Sequence, residues 1–172
     1  MPLGAALVFL AARAAVEGPL FRVREISFRG LVHARPAVLV AEAGLTRPLS
    51  IFDDLSFVPE RLLRDPLVRA ARVRRAFPNR LIVEVEERRP AAYWSEGALW
   101  PLDVEGRVLP LDPAHYGWDL PILMEGRGGS ALHGGRLVDG DARALLRLVV
   151  GIRDRVPEIA RRVSVAELGG GG

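Results

Sequence analysis

A chain of 172 residues, 49% of them hydrophobic, has room for one domain or two small ones with modest cores, and that apolar content argues against disorder. It has no cysteine, which excludes disulfides, cysteine-based zinc sites and thiol catalysis. All 24 basic residues are arginine, so a pI of about 10.4 accompanies a net charge of only +3, and the 21 interspersed acidic residues argue against a nucleic-acid surface.

The chain opens with an apolar run, Leu3 to Val16 (LGAALVFLAARAAV), broken only by Arg13. It falls short of the ~20 apolar residues that a spanning helix needs. Three readings stand: a short or truncated membrane anchor, the core of a signal peptide, or a buried helix. The first two both export everything that follows. Glu17, Gly18 and Pro19 end the run.

Phe21 to Arg29 carries apolar residues at Phe21 and Val23, then at Ile26 and Phe28, so it reads as a strand whose phase slips at a bulge. Gly30 stops it. Pro36 to Ala43 reads as a short helix, with proline in its first turn and Gly44 beyond its end. Pro59 to Arg64 reads as a second, ending before Pro66. Leu67 to Ala76 and Leu81 to Glu87 read as two strands joined by the Phe77-Pro78-Asn79-Arg80 turn. In the second, Leu81, Val83 and Val85 face one way, while Ile82, Glu84 and Glu86 face the other.

Beyond Pro90, short strands are expected at Ala91 to Trp94, Leu99 to Leu102 and Arg107 to Leu111, with a turn at Asp103-Val104-Glu105-Gly106. Pro110, Pro113 and Pro121 confine later strands to short or edge positions. Gly126 to Gly135 reads as a loop. Asp139 to Val156 is the strongest helix, with apolar residues at Ala142, Leu145, Leu146, Val149, Ile152 and Val156 and an aspartate cap. Arg161 to Leu168 starts a last strand, which runs into Gly169 to Gly172; the natural protein is expected to continue.

The fold class is therefore α+β: a β-α-α-β-β module of three strands and two helices, then a mostly β second domain with one long helix. The run from Asp65 to Trp94 (DPLVRAARVRRAFPNRLIVEVEERRPAAYW), followed by Asp103 to Val108 (DVEGRV), resembles the FtsQ/DivIB family of bacterial cell-division proteins. Leu67 and Phe77 stand where that family often has tryptophan. The resemblance extends from about Phe21 to Leu123. It implies a short or truncated N-terminal membrane anchor at 1–19, a POTRA domain at 20–89 and an incomplete FtsQ-type β domain at 90–172. It also implies a single-pass protein of the cell (inner) membrane, with its bulk outside the cytoplasm and concentrated at the septum. The implied partners are divisome membrane proteins of the FtsB, FtsL, FtsW, FtsI and FtsK types.

A small sheet covered on one face leaves strand edges with unpaired N–H and C=O groups, to which another chain can add a strand. In the POTRA part the resemblance points to the strand Ala70 to Arg75, with Ala70, Val73 and Arg75 as contact residues; alternation equally allows Val73 to be core. The family's second site, on strands that add one from FtsB, would follow Leu168. The arginine-rich stretch of Arg72, Arg74, Arg75, Arg80, Arg88 and Arg89 fits either acidic lipid headgroups or a solvated hairpin with Glu84, Glu86 and Glu87 as neighbours.

No catalytic constellation emerges. His33, His115 and His133 sit in separate loop-like contexts, the glycine-rich stretch lacks a phosphate-loop signature, and Asp53, Asp54 and Asp103 suit turns and caps. No enzyme, cofactor or metal is expected. The competing expectations are a POTRA-bearing assembly or transport factor that binds polypeptides by strand addition, and a basic nucleic-acid binder.

Overall fold

The structure, a computed structural model, describes residues 13, 18–125, 131–156, 158 and 164–168. The apolar run Leu3–Val16, apart from Arg13, the stretch 126–130, residues 161–163 and the last four glycines lie outside the described residues. The chain divides into two compact units, residues 1–87 and 88–172.

The first unit is built from β1 (Glu25–Arg29), α1 (Pro36–Glu42), α2 (Phe57–Leu62), β2 (Val68–Ala76) and β3 (Arg80–Glu87). Its three strands lie in the order β1-β3-β2. β1 runs parallel to β3, with Phe28 opposite Val83, and β2 runs antiparallel to it, with Val73 opposite Val83. The alternation expected in β3 holds: Leu81, Val83 and Val85 are buried, against Leu39 and Ala43 of the α1 region and Val58 and Leu62 of the α2 region. Burying a side chain of this size contributes about 1.5–3 kcal/mol.

The first strand is shorter than the expected Phe21–Arg29, and it has no bulge. Phe21 and Val23 pair instead with a loop: the Ile51 N–H donates to the Phe21 carbonyl at 2.8 Å, and the Val23 N–H to the Leu49 carbonyl at 2.8 Å. The slip in apolar phase at Arg24 marks the crossing from this pairing to the sheet. A real bulge occurs in β2, between Val68 and Ala70.

Gly30 ends β1 with φ of +84°, and a Cβ there would lie 2.1 Å from the Val85 carbonyl oxygen. Only glycine lets the backbone turn this close to β3.

The second unit holds β4 (Ala92–Ser95), β5 (Leu99–Leu102), α3 (Pro113–Tyr116), β6 (Ile122–Glu125), β7 (Leu132–His133), β8 (Arg136–Leu137), α4 (Gly140–Arg155) and β9 (Val165–Leu168). A four-stranded sheet runs β5-β4-β6-β9, and β7 and β8 form a separate hairpin. α4 starts at its expected cap, where the Asp139 carboxylate accepts the Ala142 N–H at 2.8 Å, and it buries Ala142, Leu146 and Val149. The core of this unit also contains Trp94, Leu102 and Leu123.

Two expectations are corrected in this unit and one is met. Arg107 to Leu111 is not a strand: it makes isolated bridges, Leu102 with Val108 and Arg107 with Arg136. β6 is short, as expected beside Pro121, and lies inside the sheet between β4 and β9, with the proline just before its first residue. The described part of the glycine-rich loop is the β7–β8 hairpin, whose turn is Gly134-Gly135, both at positive φ.

Replacing Gly30 with alanine is expected to destabilise the first unit by at least about 2 kcal/mol, combining backbone strain with a clash that β3 must relieve. Urea denaturation read at the single-residue level in β1 and β3 checks this.

Candidate functional site

β2 follows the two helices and hydrogen-bonds to β3 on one side. Since the sheet order is β1-β3-β2, its other side is a sheet edge among the described residues. Alternation splits its side chains. Ala71 and Val73 pack on the core, while Ala70, Arg72 and Arg74 lie opposite Glu86, Glu84 and Ile82 on the outer face. That face carries ion pairs between Arg74 and Glu84 at 3.3 Å, Arg69 and Glu86 at 3.2 Å, and Arg80 and Glu25 at 3.1 Å. These groups are largely exposed, so each pair contributes little, on the order of 0–1 kcal/mol. A shallow depression of about 250 Å³ opens between β2 and β3, lined by Ala70, Ala71, Arg72, Glu84, Val85 and Glu86.

The three contact residues expected from sequence share this strand but do not form one patch. Ala70 lies on the outer face. Val73 packs against the core. Arg75 lies on the inner-facing side and is committed: its Nε donates to the Ile51 carbonyl at 2.7 Å and its Nη2 to the Asp53 carbonyl at 2.8 Å. What the three have in common is the backbone edge, where side-chain identity matters least.

Two charged residues expected in the solvated stretch are interior ones. Glu87 is 8% exposed. Its Oε1 accepts the N–H groups of Val32 at 2.8 Å and Ala34 at 2.9 Å, and its Oε2 accepts the His33 N–H at 2.8 Å and lies 3.1 Å from His33 Nδ1. Burial opposes the charge of this carboxylate, but the three backbone donors and His33 outweigh burial and hold it below the usual glutamate range. The signal was in the sequence: Glu87 has the parity of Leu81, Val83 and Val85, so it had to point inward and needed partners there.

Arg88 opens the second unit. Its Nη1 donates to Asp103 Oδ2 at 2.6 Å and Glu105 Oε2 at 2.7 Å. Asp103 Oδ1 in turn accepts the N–H groups of Glu105 at 3.0 Å and Arg107 at 2.8 Å, and Gly106 completes the turn at φ +74°. The Asp-Val-Glu-Gly motif is therefore a turn held by its own aspartate and clamped by Arg88. Among the described residues, no group of three or more His, Asp or Glu side chains could hold a metal ion.

The β-α-α-β-β order with β1 parallel to β3 and an edge β2 places this chain among POTRA-domain proteins of the FtsQ type: residues 21–88 match the family described as "POTRA domain, FtsQ-type". Curated relatives agree. The cell division protein FtsQ of Anaeromyxobacter sp. (strain K) is 38% identical over 132 residues, spanning 70% of this chain and 45% of that one. FtsQ of Myxococcus fulvus is 35% identical over 113 residues (63% and 38%), and FtsQ of Zymomonas mobilis is 33% identical over 115 (66% and 36%). The chain belongs to the FtsQ family of cell-division proteins, and it spans less than half the length of each of these relatives.

Glu87→Gln is expected to destabilise the first unit by about 1–3 kcal/mol at neutral pH, since it faces three N–H donors with one fewer acceptor oxygen. A carboxylate with a depressed native pKa stabilises fully above its unfolded value of 4.5 and progressively less as pH falls below that toward the native pKa. Urea midpoints of the wild-type chain and the variant should therefore draw together as pH falls from neutral to progressively below 4.5.

Proposed function

We propose that the chain is a non-catalytic, bitopic membrane scaffold of the bacterial divisome, which binds other division proteins outside the cytoplasm and so coordinates septum formation. Residues 1–19 act as the anchor, 20–89 as the partner-recruiting POTRA domain and 90–172 as part of the β domain. Among the described residues no helix is long and apolar enough to cross a membrane. The anchor reading rests on the sequence of Leu3–Val16 and on the family.

The observation that carries the proposal is the edge position of β2. A strand of nine residues with one neighbour can take a second strand, gaining main-chain hydrogen bonds without any side-chain pocket. This also explains why Ala70, Val73 and Arg75 serve together despite facing different ways: the partner reads the backbone between Ala70 and Arg75. Membrane proteins of the FtsB, FtsL, FtsW, FtsI and FtsK types are the partner class.

Proline scanning tests this. Along an edge strand, N–H groups alternate between the neighbouring strand and the open side. Of Arg72→Pro and Val73→Pro, one removes a ladder donor and is expected to unfold the first unit. The other is expected to leave the thermal transition within a few degrees of wild type and abolish retention of the divisome partners by the immobilised chain. Retention unchanged in the folded variant would exclude the β2 edge.

A further inference from the structure

The first unit exposes an aromatic corner at the margin of its core, against which Phe21 packs. Phe21, Phe52 and Phe77 come from three separate segments and form a contiguous ladder, with ring centroids 5.1 Å apart for Phe21–Phe52 and 5.7 Å for Phe52–Phe77. The backbone brings them together: residues 21–23 pair with 49–51, and the Arg24 N–H donates to the Asn79 carbonyl in the β2–β3 turn at 2.9 Å. Phe77 is nonetheless 63% exposed, Phe52 46% and the adjoining Leu20 58%. Aromatic rings that touch one another in water while leaving this much surface open mark a place where something apolar belongs.

We propose that this corner seats in the headgroup–acyl boundary of the lipid bilayer, so that the first unit rests on the membrane instead of hanging from it. The inference rests on the anchor reading above. Leu20 follows Val16, the end of the apolar run, by four residues, so even a fully extended link puts it within about 14 Å of that end. The described part of the link is shorter still, because residues 18–21 form a turn closed by the Phe21 N–H on the Gly18 carbonyl at 3.2 Å. An anchored chain therefore delivers Leu20, Phe52 and Phe77 to the bilayer surface.

The flanking charge suits that surface. Arg22 and Arg24 are exposed beside the ladder. Acidic groups lie nearby as well: Asp53 Oδ2 accepts the Ser50 N–H, Asp54 accepts both the N–H and the hydroxyl of Ser56, bonds that favour its charged form, and Glu25 pairs with Arg80. Apolar rings flanked by exposed arginines, one of them hydrogen-bonded to the Pro19 carbonyl, are the chemistry of an interfacial contact with anionic lipid.

The lack of any cysteine makes the test direct, since a single introduced thiol is the sole labelling site. Phe77→Cys and Val32→Cys would each be labelled with an environment-sensitive fluorophore in the 172-residue chain, reconstituted into vesicles of phosphatidylcholine and phosphatidylglycerol. Val32 is the control: it is 74% exposed, and its N–H binds Glu87, at the opposite end of β3 from Phe77 and roughly 23 Å away along the strand.

The expected result is a blue shift and loss of emission at position 77 with nitroxide-headgroup lipid, neither of them at position 32, and weakening of both on adding Phe52→Ser. A chain that floats with the vesicles but shows equal, unquenched emission at both positions overturns the inference and leaves the anchor reading intact. A label at 77 protected from aqueous iodide yet untouched by nitroxide lipid also overturns it, because a protein, such as a second copy of this chain, then covers the corner. A chain that fails to float with the vesicles removes the anchor reading and this inference together.

Discussion

The parallel pairing of β1 with β3 determines what the first unit can do. Strands adjacent in sequence, β2 and β3, form the antiparallel half of the sheet, and the return of β1 alongside β3 places β3 in the middle. β3 gains neighbours on both sides and buries one whole face. β2, with nine residues, is left as a margin. The pairing is locked at its far end by Glu87, whose carboxylate gathers the N–H groups of residues 32–34, just after β1. A slip of one residue would turn Glu87 to the solvent face and strand those donors, so the clamp specifies register as well as stability.

Two consecutive residues of opposite charge mark the division between the units. Glu87 points into the first and satisfies a loop there; Arg88 points into the second and holds the Asp103 turn. Glu87 is itself buried, and Arg88, part-buried, holds the buried Asp103, an arrangement whose loss on one side leaves the other uncompensated. The Glu87-Arg88 dipeptide is thus structural in both directions.

Much of this was readable from residue order. Period-two alternation located β3 and its buried face, the proline and glycine punctuation located both short helices, and Asp139 with the spacing from Ala142 to Val149 located α4. The misses share one cause, which is that local pattern does not say what a segment pairs with. Phe21 and Val23 alternate like a strand, yet bond to the loop at Leu49–Ile51. Arg107 to Leu111 alternates too, yet Asp103 and the β7–β8 turn take up its hydrogen-bonding groups. At the candidate site the strand was legible and the side chains were not: Arg75 looked like a surface arginine until its two carbonyl partners, more than 20 residues away in the chain, were seen.

A scaffold of the proposed kind would need little from its surface side chains, and the exposed ion pairs on the outer face fit that economy. The central claim is that the outer margin of β2 is vacant in the free chain. Amide hydrogen exchange followed residue by residue tests it most directly. The account predicts alternating slow and fast amides from Ala70 to Arg75, against uniformly slow amides from Leu81 to Val85, with the fast set slowing when a divisome partner's extracytoplasmic domain is added. Uniform slow exchange along β2 in the free chain, or a fast set that no such partner protects, would contradict it.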